Sequence, residues 1–63
     1  MKDKDKFIVA HKDISQPGQI KQGKVLGRYR EREFAERAKP NLARQENVPN
    51  YYLGIWHNGR LVS

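Results

Sequence analysis

The spacing of apolar residues changes along the chain, and each change marks a new element. Residues 7–12 read Phe-Ile-Val-Ala-His-Lys, a short aromatic and β-branched run cut off by polar residues, which predicts a strand. Asp13 and the run Ser15-Gln16-Pro17-Gly18 follow, with Pro-Gly suited to the central positions of a type II turn. A second alternating run covers residues 24–29. Gly23 before it and Gly27 within it would each cost a helix about 1 kcal/mol, so a strand is predicted, with Gly27 placed for a bulge. Residues 13–23 form the connecting loop and carry Ile14 and Ile20.

Between residues 30 and 44 the period lengthens. Phe34, Ala35, Ala38 and Leu42 fall on one stripe of an α-helix, and Arg32/Glu36 and Glu33/Arg37 stand four apart on its outer side. Pro40 lacks an N–H and disfavours helix at the residue before it, so the helix is expected to end near Ala38 or Lys39, with a separate turn running to Arg44. Residues 45–50 read as a connector. Residues 51–57, Tyr-Tyr-Leu-Gly-Ile-Trp-His, are the most β-prone window in the chain. Asn58-Gly59 then predicts a type I′ hairpin into Arg60-Leu61-Val62.

The order strand-strand-helix-strand-strand predicts an α+β fold, a small antiparallel sheet with one helix packed on one face. A half-open barrel with a shortened helix is the alternative. Residues 1–6 alternate in charge and are expected to be a disordered lead-in to a single small α+β domain over residues 7–63. Neither a secretory apolar core nor an apolar run of about 18 residues is present, so the chain is expected to be unprocessed, cytoplasmic and without a membrane partner.

Alternation assigns the faces. Leu53 and Ile55 share one side, and a two-residue turn sets Arg60 opposite His57, Leu61 opposite Trp56 and Val62 opposite Ile55. Val62 therefore joins a core with Phe7, Val9, Val25, Phe34, Ala38 and Leu42. So small a core implies a net stability of roughly 3–5 kcal/mol. The other side should collect Ile8, Leu26, Arg28, Arg30, Tyr52, Trp56 and Leu61, with Gly54 leaving a gap between the rings. Those residues could equally be spent inward, with Trp56 stacked on Arg28 or the loop at 13–23 folded over the face.

Charge sharpens this picture. Thirteen Lys and Arg oppose seven Asp and Glu, a net of +6, in 63 residues of which only 37% are hydrophobic. Residues 21–44 hold eight cations against three carboxylates, so +5 of that excess lies in one stretch, the usual footprint of a phosphate-binding surface. Chemistry-bearing motifs are missing. There is no cysteine, His11 and His57 follow no metal-binding spacing, Ser15 and Ser63 have no base beside them, and the glycines form no phosphate loop. No catalytic residue, metal or cofactor is expected. The sequence therefore predicts a non-enzymatic, small basic binding module. It would contact nucleic acid through Arg28, Arg30, Tyr52 and Trp56 on the open sheet face, aided by Lys21, Lys24 and Arg60, the last reaching the rim from the hairpin tip. The alternative is a protein–protein module, an adaptor or small inhibitor that uses the same face on an acidic protein or a second copy of the chain.

Overall fold

The computed structural model describes residues 6–15 and 17–63. The expected lead-in lies almost wholly outside them. Strand β1 (Phe7–Asp13) and strand β2 (Lys21–Tyr29) form the first hairpin, followed by helix α1 (Arg32–Glu46), a 3-10 turn (Asn50–Tyr52), strand β3 (Leu53–His57) and strand β4 (Arg60–Leu61). The fold is α+β. Its four antiparallel strands stand in the order β2-β1-β3-β4, so β1 and β3 are central.

Both turns follow their sequence signals. Gly18 has φ 77°, as the second central position of a Pro-Gly type II turn requires, and Asn58 and Gly59 have φ 55° and 79°, the pair of positive values that a type I′ hairpin needs. The hairpin register is the expected one, Trp56 opposite Leu61 and His57 opposite Arg60. Next to it, the Val62 amide donates to the Ile55 carbonyl at 2.8 Å, while the Ile55 amide donates to Ser63 at 3.2 Å. The Val62 carbonyl, left out of the ladder, accepts from Arg32 Nη2 at 2.9 Å, which ties the start of α1 to the last strand.

Strand β2 departs from simple alternation. Val9 pairs with Gly27 but Ala10 with Val25, so Leu26 is an extra residue; a second shift leaves His11 opposite both Gly23 and Lys24. Each bulge turns the chain over by one position. Leu26, expected on the open face, packs against the helix-side core, and Val25, expected in the core, stands opposite Ala10 on the other face.

Val9, Ala35, Ala43, Leu53 and Ile55 form the buried core, with Phe7, Leu26, Tyr29, Leu42, Val48 and Val62 packed around it. The helix meets the sheet through its alanines, whose small side chains let the two layers approach closely. Phe34 is therefore not part of the buried stripe: it lies on the flank of α1 and is 50% exposed.

The helix also runs past Pro40 to Glu46. Pro40 is exposed, and its missing N–H leaves the Glu36 carbonyl without its helical donor. Burial of Leu42 and Ala43 beyond it offsets that loss, as does a closed C-terminus. Asn47 adopts φ 60°, its amide donates to Arg44 at 3.1 Å, and the Val48 amide donates to Ala43 at 3.0 Å. That pair of bonds is the Schellman motif, with Val48 supplying its apolar contact.

Candidate functional site

Two positions explain how the faces are built. Gly27 and Gly54 each stand two residues before an aromatic ring on the same face, and each ring folds back over its glycine. A Cβ on Gly27 would lie 2.8 Å from the Tyr29 hydroxyl; one on Gly54 would lie 2.8 Å from both Trp56 Cζ3 and Leu61 Cδ1. The gap expected at Gly54 is thus filled by the indole itself.

This settles the geometry of the face away from the helix. Across the four strands Arg28, Ile8, Trp56 and Leu61 form one row, as alternation predicted. Trp56 points away from α1 but is only 3% exposed, lying over Gly54 between Ile8 and Leu61. A ring so covered offers no surface on which a base can stack. Ala10, fully buried, and half-buried Val25 continue the apolar patch.

The other anticipated residues do not gather on that face. Tyr52 belongs to the 3-10 turn, and its ring meets His11 edge-on at 5.4 Å between centroids. His11 lies opposite Leu53 on the helix side. Arg30 lies past the end of β2, exposed, and Arg60 stands at the hairpin tip opposite His57, which stacks on Phe7 at 4.1 Å. Lys24 reaches Glu46 at the end of the helix, 3.6 Å away, and Lys21 pairs in register with Asp13.

What the fold does bring together is a group of cations where the far end of the β1–β2 hairpin meets the C-terminal half of α1. Lys21 and Lys24 come from β2, Lys12 from β1 and Lys39 from the helix, with Arg44 on the exposed outer side of the same half of α1. Lys39 is held below the usual lysine value, first by partial burial and then by the Lys12 ammonium, with Glu36 opposing. Both carboxylates at this end are occupied. Glu46 Oε1 accepts from His11 Nε2 at 3.2 Å and faces Lys24, and Asp13 accepts from the Ser15 amide at 3.1 Å. The Ser15 amide and hydroxyl, with a smaller contribution from Lys21, hold Asp13 below the ordinary carboxylate value.

Lys12 and Lys39 are the residues that sequence reasoning missed here. They are 27 positions apart, and a charge count along the chain carries no trace of their approach. Toward the other end of α1 the cations are already paired, Arg32 with Glu36 at 2.7 Å and Arg37 with Glu33 at 2.9 Å. These exposed pairs are weak.

Among the described residues there is no group of three or more His, Cys, Asp or Glu side chains that could hold a metal ion, and no helix long and apolar enough to cross a membrane. No family model, no curated protein and no solved structure matches the chain.

Proposed function

We propose that the protein is a non-enzymatic, cytoplasmic binding module that holds nucleic acid through its phosphates, with the cations at the β1–β2–α1 end as the principal contact. One observation supports this above the others: Lys39 is partly buried and its charge is further disfavoured by the Lys12 ammonium, while Glu46 and Asp13 are taken by His11, Lys24 and Ser15. A bound polyanion would relieve that repulsion. The proposed contact set keeps Lys21 and Lys24, adds Lys12, Lys39 and Arg44, and leaves out Trp56.

Fluorescence anisotropy of labelled DNA, titrated across a salt series, tests the reading. Each neutralised phosphate of a duplex contributes about −0.9 to the slope of log K against log salt, so four to five contacts predict a slope near −4. Absence of binding at about 50 mM salt, or an affinity indifferent to salt, would remove nucleic acid as the partner.

A second reading, a protein–protein module, is favoured by Leu61, which is 38% exposed at the margin of the apolar patch around Trp56. Sedimentation of the free chain tests self-association through that patch. A monomer at high concentration would count against a homodimer.

A further inference from the structure

The outer face of α1 carries more than charge. Arg37, Asn41, Arg44 and Gln45 stand at i, i+4, i+7 and i+8, within an arc of about 100° at 3.6 residues per turn. All four are exposed, whereas Ala35, Leu42 and Ala43 turn toward the sheet. No carboxylate occurs between Glu36 and Glu46. Arginine, asparagine and glutamine are the side chains that grip base edges with two hydrogen bonds, arginine on guanine and the amides on adenine. Arg37 is held only by the exposed Glu33, a contact readily exchanged.

Building on the nucleic-acid reading above, we infer that this exposed face of α1 enters the major groove of duplex DNA and reads a short base sequence there. The lysines at the same end of the domain would hold the flanking phosphates. Charge complementarity carries the choice of occupant, because the face presents two arginines and two amides to a polyanion, and the carboxylate at its edge, Glu33, is already paired with Arg37. A helix fits the major groove of B-form DNA but not the narrow one of A-form RNA. From Arg37 to Gln45 the helix rises about 12 Å, the length of three to four base-pair steps.

Selection from a duplex DNA pool with a randomised centre tests this. The chain should enrich a motif with a core of three to four base pairs and prefer it at least about tenfold over a scrambled duplex. N41A/Q45A alters two exposed helix positions and should fold normally, which circular dichroism checks. In that variant the preference should fall toward onefold, while Arg60→Gln, at the tip of the β3–β4 hairpin at the opposite end of the sheet, should keep it. The inference is overturned if the pool binds in a salt-dependent way with no sequence enriched. It is also overturned if the motif survives N41A/Q45A, or if duplex RNA of the same sequence binds equally well. These results would leave the nucleic-acid reading standing, whereas failure to bind DNA at all would remove both.

Discussion

Replacing Gly54 by alanine probes the feature that closes the outer face. The new methyl would lie 2.8 Å from Trp56 Cζ3 and Leu61 Cδ1 and 3.0 Å from Trp56 Cη2, so the buried indole must move. Overpacking of this kind costs about 1–3 kcal/mol. Removing a glycine from a strand returns about 0.5–1 kcal/mol by lowering the freedom of the unfolded chain. The net loss should be about 1–2 kcal/mol, a sizeable part of the roughly 3–5 kcal/mol a domain this small can hold. At about 4–8 °C per kcal/mol for small domains, Tm should fall by about 4–16 °C. Urea unfolding followed by circular dichroism gives the stability, and tryptophan emission should shift to the red as the ring is pushed toward water. A G54A chain as stable as the parent, with unchanged emission, would show that the indole does not lie on Gly54.

Substituting Pro40 by alanine should stabilise the protein. Alanine restores a donor to the Glu36 carbonyl and removes a helix-interior penalty of about 3 kcal/mol, less about 1 kcal/mol for a more flexible unfolded chain, so thermal unfolding should rise by about 8–16 °C; no rise would mean that α1 does not continue through residue 40. Lys39 makes stability depend on alkaline pH. Its folded value lies below the 10.5 of the free side chain, so the unfolded chain binds more protons between the two and stability rises as pH climbs through the folded value toward 10.5. Urea midpoints collected between about pH 8 and 11 should show that rise, and K39Q should flatten it.

Much of the fold is legible locally. Asn58-Gly59 fixes the register of the last hairpin, because only residues tolerant of positive φ close a type I′ turn. That register carries Leu53, Ile55 and Val62 to the helix side. What local reasoning misses depends on partners distant in sequence. The bulge at Leu26 arises from how β2 meets β1, and it exchanges the faces of Val25 and Leu26 although the strand itself is correctly placed. Pro40 argues for a helix end, yet the contacts made by Leu42, Ala43 and Val48 and the closing bonds at Asn47 outweigh it. For the site, alternation gives the direction of Trp56 but not its burial, since covering an indole depends on Gly54 beneath it and Leu61 beside it. The Lys12 charge acts on Lys39 only because β1 packs against α1.

Amide chemical-shift mapping with a DNA duplex tests the central claim most directly, because it separates the two faces in one experiment. The account predicts that the largest shifts fall on residues 11–13, 21–24 and 37–46, with the Trp56 indole N–H and the amides of Ile8 and Leu61 unmoved. Shifts centred on Trp56, Ile8 and Leu61, with the lysine end silent, would contradict it.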